Sequence, residues 1–152
     1  MKPIFGTSTI QADERGRIRI PSSYRTALGD TKIYGFKNKK GCYLRIFGSD
    51  MLNSLLAGYS GMVPPEECRT SARVRGIYSH IRELEEDKQG RFTIPQNWRE
   101  KLQIVKEVVF IGMGNTIELW AKEVYDEYEA QQELLEDDED ENGDEIFGTF
   151  KF

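Results

Sequence analysis

Hydrophobic and polar residues alternate in two short segments of this chain, and the two segments match. In Arg17-Ile-Arg-Ile20 the isoleucines fall on one side and the arginines on the other; in Arg91-Phe-Thr-Ile94 Phe92 and Ile94 take the apolar side. A two-residue period is that of a strand with one buried face. Each segment follows Asp-x-x-Gly and precedes a proline, giving Asp13-Glu-Arg-Gly-Arg-Ile-Arg-Ile-Pro21 and, 74 positions on, Asp87-Lys-Gln-Gly-Arg-Phe-Thr-Ile-Pro95. Gly16 and Gly90 suit a tight turn that needs positive φ, and Asp13 and Asp87 can accept from that turn's free N–H groups. Proline ends a strand and opens a helix. Each unit therefore reads as loop, strand, proline, short helix, with Arg17 or Arg91 at the base of the loop, pointing away from the core. The match runs on to Arg25/Arg99 and Leu28/Leu102.

The remaining pattern places further elements around these units. Phe5–Ile10 predicts a strand pairing with Arg17–Ile20, and Ser22–Leu28 a helix closed by Gly29. Ile33–Phe36 and Cys42–Phe47 predict a hairpin whose tip carries three lysines, Lys37, Lys39 and Lys40, solubilising or in reach of phosphates. Ser49 or Asp50 caps a helix over Met51–Ala57 with an apolar face of Met51, Leu52, Leu55 and Leu56. A Gly- and Pro-rich connector spans 58–65, and Arg69, Arg73 and Arg75 follow, read as surface charge before phosphate contacts. A strand over Tyr78–Leu84, a helix over Gln96–Leu102, and a second hairpin of Val108–Ile111 with Thr116–Trp120 repeat the first half. A helix from Lys122 to Leu135 offers Val124, Tyr125, Tyr128 and Leu135 for core packing.

The fold class expected is α+β: two pseudo-repeated βαβ-type halves, residues 1–62 and 63–135, forming one small, mostly antiparallel, barrel-like core with peripheral helices. Neither half holds enough apolar residues to fold well alone. Residues 136–152 are expected to form an acidic, disordered tail.

Charge changes this picture once it is divided. Residues 1–122 contain 20 Lys+Arg against 13 Asp+Glu, while residues 123–152 contain 13 acids and one lysine. The body is basic, the pattern of a polyanion-binding surface. The tail is read first as a solubilising segment, second as a DNA mimic that covers the basic surface. Met1-Lys-Pro-Ile-Phe lacks a signal-peptide run and no apolar stretch is of membrane-spanning length, so a cytosolic protein is expected. Cys42 and Cys68 lack metal or disulfide spacing, and His80 is the sole histidine, without a motif around it. Glu85 and Glu86 read as solvated charge. No metal, cofactor, small-molecule substrate or enzymatic activity is expected.

The paired Asp-x-x-Gly-Arg-x-x-x-Pro motifs, with Gly112-Met-Gly-Asn-Thr-Ile-Glu-Leu-Trp120, mark a wider likeness. Over roughly residues 4–130 the chain resembles the MraZ family of bacterial transcriptional regulators, related to AbrB-like DNA-binding modules. The resemblance implies a DNA-binding repressor or autoregulator of the division and cell-wall gene cluster. It also implies a homo-oligomeric ring reading repeated promoter boxes in the cytoplasm, at the nucleoid. On the motif positions it assigns DNA contact to Arg15, Arg17, Arg19, Lys88 and Arg91, and loop-forming roles to Asp13, Gly16, Asp87 and Gly90. Arg17 and Arg91 would face a groove, and Arg15, Arg19 and Lys88 the phosphates. Arg15 stands where the family usually has lysine. Gln89 is neutral, so a weaker grip is expected of the second loop. The alternative is an AbrB-like protein-interaction module of the antitoxin type.

Overall fold

The computed structural model describes residues 2–29, 31–37, 41–59, 72 and 75–135, without the side chains of 56–59. It is a mixed α+β structure, and its sheets are antiparallel throughout the described pairs. In chain order the elements are β1 (Thr7–Gln11), β2 (Arg17–Arg19), α1 (Ser22–Leu28), β3 (Ile33–Phe36), β4 (Tyr43–Gly48), α2 (Ser49–Tyr59), β5 (Ile81–Leu84), β6 (Arg91–Thr93), α3 (Gln96–Lys101), β7 (Glu107–Gly112), β8 (Ile117–Ala121) and α4 (Lys122–Glu133). They divide between two compact units, Met1–Lys122 and Glu123–Phe152.

In the first unit six strands form one sheet in the order β1-β7-β8-β4-β3-β5, and β2 pairs with β6 in a separate two-stranded ribbon. Among the described residues these strands close no barrel; β1 and β5 are the sheet's edges. The two predicted hairpins are present, β3 on β4 and β7 on β8, joined at the centre through β4 and β8. The core lies between the sheet and the ribbon elements: Ile18, Ile20, Phe92, Ile94, Leu44, Ile46, Val108, Phe110, Ile117 and Leu119 are all fully buried. Residues of this kind, each worth about 1.5–3 kcal/mol on burial, make the packing of both segments one event.

Four expectations need correction. The first strand pairs not with β2 but with β7, in a five-residue register from Thr7↔Ile111 to Gln11↔Glu107. That ladder satisfies more backbone groups than the three residues of β2 offer, and the loop at Asp13 turns β2 away to meet β6. The strand expected from Tyr78 begins at Ile81, because residues 75–78 are helical. Lys37, read as an exposed tip residue, is 5% exposed; Lys39 and Lys40 lie outside the described residues. The helix after the second hairpin has no buried residue, and Tyr128 and Leu135 are exposed, so its Tyr125–Tyr128 stack at 6.2 Å is not core packing.

Other boundaries agree with the pattern. Both prolines precede the helices they were expected to open, and Gly29 closes α1 at φ 92°, its N–H on the Thr26 carbonyl. The helix capped at Ser49 or Asp50 starts at Ser49 and reaches Tyr59, two residues beyond the expected end; Met51, Leu52 and Leu55 are half-buried. Gly112 meets a different demand: a Cβ there would lie 2.5 Å from the Ile4 carbonyl carbon, where the N-terminal segment crosses β7. The connector after residue 59, Arg69, Arg73, Cys68 and the acidic tail lie outside the described residues. Arg75 is exposed. No helix among the described residues is long and apolar enough to cross a membrane.

Candidate nucleic-acid interface

Both motif loops form by the same local bonds. In the first, Asp13 Oδ1 accepts from the backbone N–H of Arg15 and of Arg17, each at 2.9 Å, and Gly16 N donates to the Asp13 carbonyl at 2.9 Å. In the second, Asp87 Oδ1 accepts from Gln89 and Arg91 N–H groups, again at 2.9 Å, and Gly90 N donates to the Asp87 carbonyl at 3.0 Å. Gly16 and Gly90 sit at φ 75° and 76°, in the left-handed region where a side chain is strained. Asp13, Gly16, Asp87 and Gly90 thus build the loops as their positions suggest.

The ribbon sets the two loops side by side. Its register is Arg17↔Thr93, Ile18↔Phe92 and Arg19↔Arg91. The central pair is buried, with both side chains 1% exposed, and anchors the ribbon to the core. On the opposite face four charges meet. Arg17 Nε donates to Asp13 Oδ2 at 2.7 Å and Arg91 Nε to Asp87 Oδ2 at 2.9 Å. Each Nη1 then faces the other loop's carboxylate, Arg17 to Asp87 at 3.8 Å and Arg91 to Asp13 at 3.7 Å. About a third of each of these side chains remains exposed.

This geometry has two chemical consequences. The N–H groups of Arg17 and Arg91, chiefly the backbone hydrogen bonds, hold the carboxyls of Asp13 and Asp87 below their ordinary 3.8. Each arginine is held by its Nε end, and its terminal nitrogens make no hydrogen bond among the described residues. Each guanidinium thus sits on a fixed stem, with its Nη1 also within ion-pair distance of the other loop's carboxylate and part of its edge open to a further acceptor. Arg17 and Arg91 are therefore not simply projected outward; they are half-buried and buttressed.

Arg15, Arg19 and Lys88 are exposed, and none has an ion-pair partner among the described residues. Arg19 stands opposite Arg91 across the ribbon, a like-charge register that the Asp87 and Asp13 carboxylates on Arg91 offset. Its Nε lies 3.8 Å from where a Cβ on Gly90 would be, so the first strand's arginine serves the second loop. The sequence pattern gave Arg25 and Arg99 no role at the site and read Glu86 as solvated charge, whereas Glu86 is half-buried and paired with Arg25. Arg25 donates to Glu86 at 2.9 Å and to the carbonyls of Gly29 and Thr31 at 2.5 Å each. The signal was present in the recurrence of Arg25 as Arg99, but the acid that distinguishes them lies 61 residues from Arg25. No group of three or more metal-ligating side chains occurs among the described residues.

Fold and site together define a class: a mixed α+β protein in which an antiparallel ribbon clasps two Asp-x-x-Gly-Arg loops next to each other. Residues 77–145 match the family described as "MraZ protein, putative antitoxin-like". Relatives named Transcriptional regulator MraZ match most of the chain. That of Desulforamulus reducens is 34% identical over 80% of this chain and 83% of its own; that of Thermoanaerobacter pseudethanolicus is 33% identical over 88% and 92%. That of Halothermothrix orenii is 36% identical over 81% and 92%. The chain belongs to the MraZ family.

Proposed function

We propose that this chain is a sequence-specific DNA-binding regulator of transcription, and that the twin-loop ribbon is its reading surface. The observation that carries the proposal is the juxtaposition of the two loops. Two Nε-anchored arginines share one small face, and the exposed cations Arg15, Arg19 and Lys88 flank it, without an ion-pair partner among the described residues. Arg17 and Arg91 then address acceptors in a groove, where arginine can engage guanine bidentately. Arg15, Arg19 and Lys88 contact phosphates that set register. The reading element is a pair of β-type loops in place of a recognition helix.

The resemblance to the family supports a choice of target. The protein acts on the promoter of the division and cell-wall gene cluster, as a repressor that also controls its own expression, in the cytoplasm at the nucleoid. One subunit offers a small surface, so we propose a homo-oligomeric ring that engages repeated boxes together and gains affinity through avidity. The edge of β1, which pairs with no other strand among the described residues, and the neighbouring Phe5, 77% exposed, support self-association. The two halves, 1–62 and 63–135, are taken as pseudo-repeats of one unit within a barrel-like core, supported by the 74-residue offset of their motifs.

The test is a fluorescence-anisotropy titration of the wild type and an Arg17→Ala/Arg91→Ala double variant. The probes are duplex DNA from upstream of the protein's own gene and a scrambled duplex, each at two salt concentrations. Salt-sensitive binding that prefers the native duplex, and is lost in a variant that still folds and assembles, is the expected result. If the assembled wild type binds neither duplex, the reading falls and an antitoxin-type protein partner takes its place.

A further inference from the structure

We infer that Arg99 is an additional phosphate-contacting residue at the first loop, and that Glu86 prevents its counterpart Arg25 from doing the same at the second. This deepens the DNA-binding reading and rests on it. Arg25 and Arg99 occupy the same place in the two units, on the first helix turn after the proline, each with its N–H on that proline's carbonyl at 2.9 Å. Their surroundings differ. The guanidinium of Arg25 is held by Glu86 and by two backbone carbonyls, and the Glu86 carboxylate neutralises it.

At the same 74-residue offset, the position matching Glu86 is Ala12. No carboxylate pairs with Arg99 among the described residues. Its Nη1 instead lies against Gly16, at the turn of the first loop, in contact with the place a Cβ on that glycine would occupy. The absence of that Cβ is what admits the guanidinium. The first loop therefore carries two uncompensated arginines, Arg15 from its own turn and Arg99 from α3. At the second loop Lys88 and Arg19 are free while Arg25 is neutralised. A phosphate arriving over Gly16 meets two guanidiniums; of the loop's own acids, the Asp13 carboxylate is already bonded to Arg17, and Glu14 is exposed.

The experiment measures the slope of log K against log salt for the full-length assembled protein on the upstream duplex and the scrambled one, counted per bound subunit. Arg99→Ala should lower the slope by about 1 on both duplexes, since a phosphate contact carries no sequence information, and Arg99→Lys should retain it. Arg25→Ala should leave the slope unchanged. Ala12→Glu supplies the missing acid and should lower the slope with Arg99 still present, and adding Arg99→Ala to it should cause no further fall. Circular dichroism and light scattering confirm that each variant folds and assembles; if Arg99→Ala does not, Ala12→Glu with Arg99→Gln decides. A wild-type slope in Arg99→Ala, or a full further fall in the Ala12→Glu background, overturns the inference. Failure of the wild type to bind DNA at all overturns the reading beneath it instead.

Discussion

Replacing each loop glycine by alanine separates backbone strain from the position of Arg99. Gly16 and Gly90 have nearly equal φ, 75° and 76°, and equivalent hydrogen bonds. An L-residue in this left-handed region costs about 1–2 kcal/mol. The loop cannot rotate to relieve it without losing the two N–H bonds to the aspartate Oδ1. Restricting the unfolded chain returns roughly 0.4–1 kcal/mol. A net loss of about 1 kcal/mol is expected for either variant, or roughly 3–6 °C in Tm for a unit of this size.

The two variants should then diverge. A Cβ at Gly16 collides with Arg99 Nη1, whereas at Gly90 the nearest atom is the Nε of Arg19 at 3.8 Å. Arg99 is the end of a flexible side chain and yields cheaply, so the extra stability cost is small while the guanidinium is displaced. Thermal and urea unfolding at a fixed subunit concentration should give similar losses for the two variants. DNA titrations should show a reduced salt slope for Gly16→Ala alone. A neutral or stabilising Gly90→Ala would refute the strain reasoning. Equal salt slopes in the two variants would refute the placement of Arg99.

Three further outcomes follow from the same structure. Phe92→Ala removes the 1%-exposed ring that anchors the ribbon and should cost about 3–5 kcal/mol in urea unfolding, taking both loops with it. Arg25→Ala breaks the pair with Glu86 and two carbonyl bonds on a side chain that is 25% exposed; a loss of about 2 kcal/mol is expected by the same assay. Asp13 and Asp87 have folded-state pKa values depressed below 3.8, so the unfolded chain binds protons more readily. Their contribution is complete above about pH 4 and is lost as pH falls through the depressed values. Urea midpoints should fall on acidification below pH 4, and less steeply in Asp13→Asn/Asp87→Asn.

What the sequence disclosed was local. Asp13, Gly16 and Pro21, with their repeats, specify a turn and a helix start through bonds made within four residues, so the pattern alone locates them. The hairpins were legible for the same reason, with β3 and β4 adjacent in the chain. The partner of β1 was not, because Thr7 and Ile111 are 104 residues apart and adjacency favoured β2. Lys37 was misread because a lysine beside a polar turn carries no sign of its burial. At the site, the residue types were readable but their engagement was not. Nothing in Arg17 itself reveals that its Nε is spent on Asp13, and nothing in Arg25 or Arg99 reveals that only one faces an acid.

The interleaving of strands also bears on how the chain is made. β1 leaves the ribosome about 100 residues before its partner β7 is complete. At 5–20 residues per second the interval is roughly 5–20 s. During it the first hairpin lacks both β8 on one side and β5 on the other until each is synthesised, so both of its edges stand open and Leu44 and Ile46 lack the second-half residues that complete their burial. A nascent chain in this state can find the missing strands on a neighbouring copy from the same polysome. Exchange of second halves between sister chains is thus a hazard that this topology imposes on biogenesis.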